Sequence, residues 1–327
     1  MKTEINITDT DDDLGRFENI DDLRHFFLDK GIDGLELMPC MGRGFTHGIE
    51  PKDIVGVHLR YYPSWVDFWK GDTEALDKEY GTRKDWEMYY GGSTREAFLE
   101  GFRKELAFAK EAGAQYVVFH VAESALEECL TYEFRHTDME VCLAAAEVIN
   151  ALMDGQDYDF YFLVENLWWS GMNLMDNAAT QALLDAIHYK KKGIILDTGH
   201  LLNTNRDLTT QDEGVAYIHQ VLDHMGPLTS YIKGMHLNQS LSGAYVKQVT
   251  ANPPELTGTY WEKLSSLYPH IFHIDYHEPF TAPGVAGLIR RIGPEFVTYE
   301  LITRDRRQHE ERLTAQLQAL KENGGIR

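Results

Sequence analysis

Residues 94–122, TREAFLEGFRKELAFAKEAGAQYVVFHVA, contain one complete unit of the fold, a helix followed by a strand. Four apolar residues in the first part recur at helical spacing: Phe98, Phe102, Leu106 and Ala109. This spacing predicts an amphipathic helix over 94–112. Gly113 comes directly after it, and glycine commonly ends a helix. The apolar run AQYVVFHVA that follows predicts a strand.

The same unit repeats along the chain. Eight apolar runs predict strands: TEINIT, GIDGLELMP, IVGVHLR, AQYVVFHVA, DFYFLVENL, KGIILDTGH, YIKGMHLN and EFVTYELI. Helix-like patterns lie between them, at 19–30, 94–112, 138–153, 175–191, 211–225, 282–292 and 304–321. Parallel strands need helical crossovers and eight such units close a ring, so the alternation predicts a (β/α)8 TIM barrel. A doubly wound open sheet is the competing architecture.

The barrel is expected to occupy one domain with two long loops. No Pro/Ser/Gly-rich linker or composition break divides residues 1–327, so we interpret the whole chain as a single domain. The connections 60–93 and 239–270 are longer than a barrel needs. Both follow predicted strands, which in a barrel places them on the C-terminal, active-site face. The aromatic residues of 60–93 either contact a substrate or form the core of a lid, and the lid is the favoured reading.

The composition narrows the class of protein. The formal net charge is -21, so the surface should repel phosphate backbones and membranes except where bound cations reverse the sign. No stretch has the apolar length of a membrane span or a signal peptide, and we expect a cytoplasmic protein without membrane contact. The three cysteines form no CxxC pair and indicate neither a disulfide framework nor a zinc ribbon. No protein partner can be inferred.

Side chains that can bind a metal ion end six of the eight predicted strands. They are His58, His120, Glu165, Asp197, His236 and Glu300. The carboxyl ends of barrel strands meet at one face, so these side chains should converge there. Three carboxylates and three imidazoles buried together would be costly without a compensating charge. Divalent cations would supply that charge.

Three more residues extend the set. In LDTGHLL, His200 comes three residues after Asp197, where the strand turns into a loop. In FHIDYHEPF, residues 272–280, one residue separates Asp275 from His277. We expect this segment to be extended, which would point both side chains to the same side as ligands of one metal ion.

The nine residues and their settings GVHLRY, VFHVAE, LVENL, LDTGH, GMHLN, IDYH and TYEL resemble the ligand set of the endonuclease IV (AP endonuclease family 2) branch of the xylose-isomerase-like barrels. The resemblance spans about residues 30–302. It implies three zinc ions, with manganese or iron as alternatives. The implied ligands are His58, His120 and Glu165 for the first ion; Glu165, Asp197, His236 and Glu300 for the second; and His200, Asp275 and His277 for the third.

That resemblance implies hydrolysis of a phosphoester bond, because in that family three zinc ions bind the phosphate, generate a hydroxide nucleophile and stabilise the leaving oxygen. Glu165 and Glu300 are the candidate catalytic residues, with Glu165 bridging two ions beside the attacking water. The sequence departs from the family where Gln239 replaces an Asp and where the gap from His236 to the third ligand group is longer. The substrate is therefore either abasic DNA or a smaller phosphorylated or sugar-like molecule.

Two alternatives stay open. Sugar isomerases and epimerases of the same superfamily hold a single metal ion with two Glu, an Asp and a His, which here would be Glu165, Glu300, Asp197 and His236. Their two glutamates exchange a proton with the carbon beside a carbonyl from opposite faces. The second alternative is a metal-binding barrel without catalytic activity.

Overall fold

Eight parallel strands close into a ring in the computed structural model, which describes residues 1–326. They are β1 (Lys2–Thr8), β2 (Gly34–Met38), β3 (Ile54–His58), β4 (Tyr116–His120), β5 (Tyr161–Glu165), β6 (Lys192–Asp197), β7 (Ile232–His236) and β8 (Phe296–Tyr299). Each strand pairs with the next, and β8 pairs with β1 to close the ring. The predicted (β/α)8 TIM barrel is thereby confirmed, and the open sheet is excluded.

Helices connect successive strands. They are α1 (Asp11–Leu14), α2 (Ile20–Leu28), α3 (Val66–Lys70), α4 (Thr73–Tyr80), α5 (Arg83–Tyr90), α6 (Arg95–Ala112), α7 (Glu128–Thr131), α8 (Asp138–Met153), α9 (Asn177–Ala186), α10 (Thr198–Asn203), α11 (Gln211–Met225), α12 (Gly243–Ala251), α13 (Tyr260–Ile274), α14 (Val285–Ile292) and α15 (Arg306–Glu322). Short 3-10 helices cover Pro51–Asp53 and Gly226–Tyr231. A two-residue antiparallel pair joins Ala122–Glu123 to Ser170–Gly171.

Helix α6 ends at the glycine that the sequence predicted. Thr94 caps the start of α6 by accepting a hydrogen bond from the Ala97 amide, and Gly113 ends it in the left-handed conformation at φ 66°. The helix predicted at 175–191 is shorter than expected, since α9 stops at Ala186. The side chain of Asn150 donates a hydrogen bond to the carbonyl of Ala186 and accepts one from the amide of His188. These two bonds take the place of the hydrogen bonds that would continue the helix.

The two long connections fold into helices on the carboxyl side of the barrel. Segment 60–93 forms α3, α4 and α5, and segment 239–270 forms α12 and most of α13. Six of the aromatic side chains in 60–93 are buried: Trp65, Phe68, Trp69, Tyr80, Trp86 and Tyr90. They form the apolar core that the lid reading predicted, while Tyr61, Tyr62 and Tyr89 are only partly buried against it.

The expectation of an extended run over 272–280 is wrong for its first part. The apolar pattern of α13 continues through the buried Ile274, so the helix extends into this segment. The chain leaves the helix at Asp275, and His277 adopts a left-handed conformation at φ 40°. The two side chains still meet, with Nε2 of His277 2.8 Å from Oδ1 of Asp275. A turn, and not the alternation of a strand, brings them together.

The helices among residues 1–326 all fall short of the length and apolar character that a membrane crossing requires.

Candidate metal centre

Nine side chains meet at the carboxyl ends of the strands. Five of them belong to the last residues of β3 to β7: His58, His120, Glu165, Asp197 and His236. Glu300 directly follows β8, His200 lies in α10, and Asp275 and His277 follow α13. Six of the nine are buried, whereas His120, Asp275 and Glu300 are partly exposed at the mouth. The topology thus concentrates four carboxylates and five imidazoles at one end of the barrel.

Potential ligand atoms form three groups, and within each group the atoms lie within 4.8 Å of one another. The first group is His58, His120 and Glu165; the second is Glu165, Asp197, His236 and Glu300; the third is Asp197, His200 and His277. The first two match the sets that the resemblance implied. In the third, Asp197 takes the place expected for Asp275. Because Glu165 and Asp197 are shared, the three groups form one continuous centre.

Asp275 nevertheless contacts both histidines of the third group. Its Oδ2 lies 3.2 Å from Nε2 of His200, and its Oδ1 lies 2.8 Å from Nε2 of His277. It therefore stands at the outer edge of the third group, close enough to serve as a ligand.

Several close pairs in the centre lack hydrogen-bond geometry. Nδ1 of His236 lies 2.9 Å from Oε2 of Glu300, yet this oxygen makes no hydrogen bond. The same holds for Oδ1 of Asp275 and both ring nitrogens of His277. Polar atoms that converge without bonding to each other are the arrangement expected of ligands aimed at shared cations. The donor set, imidazole nitrogen and carboxylate oxygen, also fits a divalent transition metal.

Three histidines have one ring nitrogen held by a hydrogen bond to an atom outside the three ligand groups. The Nδ1–H of His58 donates to the carbonyl of Leu59, and the Nδ1–H of His200 donates to the carbonyl of Asn166, both at 2.9 Å. His236 donates its Nε2–H to Oε2 of Glu36 at 2.9 Å. The second nitrogen of each ring then faces the centre. Metal-binding histidines are typically oriented in this way.

Proton affinities in the centre reflect its crowded charges. Burial alone would lower the pKa of His58, but the Glu165 carboxylate outweighs burial and raises that pKa to about 9. Neighbouring carboxylates likewise outweigh burial at His277 and raise its pKa to about 9. Burial raises the pKa of Asp197 to about 6, whereas facing imidazoles overcome burial at Glu300 and lower its pKa to about 2. The carboxylates and imidazoles thus change one another's proton affinity, and a divalent cation would compete with protons for the same imidazole nitrogens.

Sequence reasoning missed three residues that hold the ligands in place. Glu36 lies inside β2 and is buried beneath His236. The side chain of Asn238 donates to Oδ2 of Asp197 at 2.7 Å, and the side chain of Asn166 accepts from the Asp197 amide at 2.9 Å. Glu36 could have been found from the sequence, because it is a carboxylate in the middle of the apolar run GLELM. An unpaired charge buried there would be costly, so a polar partner is expected.

Aromatic rings border the centre on one side. The ring of Tyr61 meets His120 edge-on with centroids 4.6 Å apart. The ring centroids of Trp168 and His200 lie 5.3 Å apart, and those of Trp168 and Trp169 lie 4.9 Å apart. These rings separate the proposed ligands from the lid helices.

A family model described as a xylose isomerase-like TIM barrel matches residues 89–322. No curated protein matches the sequence. Three similar solved structures are a D-tagatose 3-epimerase-like protein (TM-score 0.54, 13% identity, covering 99% of this chain and 98% of that one), the IOLI protein with a bound zinc atom (0.51, 12%, 99% and 98%) and endonuclease IV from Thermus thermophilus (0.49, 12%, 98% and 100%). At these identities the likeness concerns the fold alone.

Proposed function

The chain belongs to the xylose isomerase-like TIM barrel family, and we propose from its metal centre that it is a metal-dependent hydrolase of phosphoester bonds. The observation that carries the proposal is the continuity of the three ligand groups through Glu165 and Asp197. A single-metal enzyme has no need of His58, His120 and the 275/277 pair at the same mouth. Three divalent ions, most simply zinc, with manganese or iron as alternatives, would use all nine side chains.

The fit of the ligands to such ions rests on the unpaired polar atoms of the centre. Bound divalent ions would neutralise charge on phosphoryl oxygens and lower the pKa of water at the site. His58 and His236 are pre-oriented by their outward hydrogen bonds, so their ligand atoms need little rearrangement. The protein therefore contributes a preformed and buried set of metal-binding nitrogen and oxygen atoms.

Two carboxylates have proposed roles in the reaction. Glu165 lies between the first and second groups, where neighbouring imidazoles overcome the effect of burial and hold its pKa well below the usual range. As an ionised acceptor it orients the attacking water. The water oxygen forms a bond to phosphorus while the bond from phosphorus to the leaving oxygen breaks. Glu300, partly exposed at the mouth, accepts a hydrogen bond from the same water, whose proton passes to solvent, and the leaving oxygen takes up a proton from solvent.

One observation favours a second candidate, a sugar isomerase or epimerase. The second group alone contains the two glutamates, the aspartate and the histidine that a single-metal site of this kind uses. Glu165 and Glu300 both approach Nδ1 of His236, at 3.1 and 2.9 Å. One carboxylate would remove a proton from the carbon beside a carbonyl, and the other would return a proton to the opposite face.

Metal content and substrate panels distinguish these functions. We expect about three metal ions per chain by elemental analysis, together with release of p-nitrophenolate from bis(p-nitrophenyl) phosphate. About one ion per chain, with solvent deuterium entering a ketose beside its carbonyl, would overturn the hydrolase in favour of the epimerase. Metal binding with turnover of neither substrate would identify a non-catalytic barrel.

The substrate itself is proposed to be either abasic DNA or a smaller phosphorylated or sugar-like molecule. The net charge of -21 favours the smaller one, because a strongly acidic surface repels nucleic acid. Nicking of a duplex with one abasic site, compared with an intact duplex, tests the DNA alternative directly.

A further inference from the structure

The two long connections enclose a cavity of about 340 Å³ beside the metal centre. Tyr61, Tyr62 and Tyr89 line it from segment 60–93, and Tyr260 and Tyr268 line it from α13. The two walls contact each other, since the rings of Tyr89 and Tyr260 lie 5.7 Å apart. The indole of Trp261 also donates to Asp85 across the same junction, at 3.1 Å. The cavity is thus an ordered feature of the lid.

The inner wall of the cavity touches the metal centre at two points. Tyr61 lines the cavity and also packs edge-on against His120. Trp169 lines the cavity from the other side and packs against Trp168, which in turn contacts His200. A group bound in the cavity therefore lies one aromatic layer away from ligands of the first and third groups.

The chemistry of the walls selects the kind of group that fits. Aromatic and aliphatic side chains dominate, and none of the described lining residues carries a charge at neutral pH. A phosphate or carboxylate would therefore be desolvated here without a partner, which is costly. Two donors in the inner wall, the hydroxyl of Tyr61 and the indole Nε1–H of the 3%-exposed Trp169, make no hydrogen bond within the protein. Each would suit a hydrogen-bond acceptor on an otherwise apolar ligand.

We propose that this cavity binds an uncharged aromatic ring of the substrate. The assignment rests on the proposed function, in that the ester joined to this ring is the group that reaches the metal centre. It makes the substrate a small aryl-bearing phosphoester. A DNA duplex does not fit, because the volume suits one small molecule.

Binding of phenol, followed by ligand-observed NMR, tests the cavity without requiring catalysis. We expect phenol to bind the metal-loaded protein about tenfold more tightly than cyclohexanol, which has the same size but no aromatic faces. Leu264→Trp would fill the cavity from α13 and weaken phenol binding at least about tenfold. Phe272→Trp is the matched control, because this exposed residue lies on the same helix outside the lining and should leave binding unchanged.

A second filling variant, Ile271→Trp, protects the test against a folding defect in the first, with circular dichroism as the check on both. The inference is overturned if phenol does not bind, or if folded filling variants bind it as the parent does. Kinetics separate it from the proposed function. Phenol binding without hydrolysis of any phosphodiester would exclude the proposed hydrolase activity and still support the cavity as a binding site for an aromatic ring. Equal KM values for bis(p-nitrophenyl) phosphate in the parent protein and in the folded filling variants would exclude the cavity assignment and leave the proposed hydrolase activity standing.

Discussion

Nε2 of His236 lies 2.9 Å from Oε2 of Glu36, inside the barrel and beneath the candidate metal centre. The same carboxylate accepts hydrogen bonds from the hydroxyl of Tyr116 and the side-chain amide of Asn6, each at 2.8 Å. Tyr116 and Asn6 therefore fix the position of Glu36, and Glu36 fixes the ring of His236. Its Nδ1 is left pointing at the second ligand group. Outer carboxylates of this kind both orient a metal-binding histidine and increase its basicity.

Replacement of this carboxylate should weaken metal binding while every proposed metal-binding side chain remains in place. We expect Glu36→Gln to lower the metal affinity of the second group about ten- to hundredfold, because a neutral amide polarises His236 less. A titration with zinc in a competing chelator measures the change. Glu4→Gln is the control: this neighbouring interior carboxyl is equally buried but makes no contact with His236 within hydrogen-bond distance. Equal losses in the two variants would contradict a specific role for Glu36.

Replacement of a ligand shared by two groups should reduce the number of bound metal ions by more than one. Glu165 belongs to the first and second groups, so Glu165→Gln should lower the metal content by up to two ions per chain and abolish hydrolysis. Glu123→Gln is the matched control, because Glu123 is also buried just beyond β4 but accepts from the amides of Trp65 and Val66 at the start of α3. Full metal content in Glu165→Gln, measured by elemental analysis, would show that the two groups do not share this ligand.

The third group can be tested with two histidines of one segment. His277→Ala should remove one ion per chain and the phosphoesterase activity, since His277 is a member of that group. His273→Ala should preserve both, because His273 is exposed and stacks on Tyr245 with centroids 3.8 Å apart. Unchanged metal content and activity in His277→Ala would exclude this residue as a ligand.

The barrel was predictable because its strands are short apolar runs separated by amphipathic helices. The run AQYVVFHVA and the helix before it carry their own stop in Gly113, so local sequence defines both. The end of α9 was not predictable in the same way. It depends on the side chain of Asn150, which lies on α8 and reaches the end of α9 only in the folded barrel.

Positions of the candidate ligands followed from the rule that strand ends meet at one face, which placed Glu165 and Asp197 at the centre. The local path at His277 did not follow from the sequence, since its positive φ depends on contacts made after the long connection folds. Among these is the short antiparallel bridge between Gln239 and Glu278. Glu36 was missed because it lies in the middle of a strand, and the search for ligands considered only residues at the strand ends.

A buried histidine far from the metal centre should make the fold sensitive to acid. His309 on α15 packs against Phe26, with ring centroids 4.9 Å apart, and its Nε2 makes no hydrogen bond. Burial, assisted by the nearby Arg16, lowers its pKa from 6.5 to about 4. The unfolded chain therefore takes up a proton below pH 6.5 that the folded protein accepts only near pH 4. The stabilisation is present above pH 6.5 and is lost as the pH falls through this window.

We expect this residue to account for a loss of about 2 kcal/mol in the free energy of unfolding between about pH 7 and pH 5. In His309→Leu that part of the loss should disappear, because leucine has no proton to bind and can pack against Phe26. His25→Leu removes an exposed histidine and should retain the full loss. Urea unfolding of the metal-free protein at the two pH values measures the difference. If His309→Leu loses as much stability as the parent chain, the acid sensitivity arises elsewhere, with the histidines of the metal centre as the remaining source.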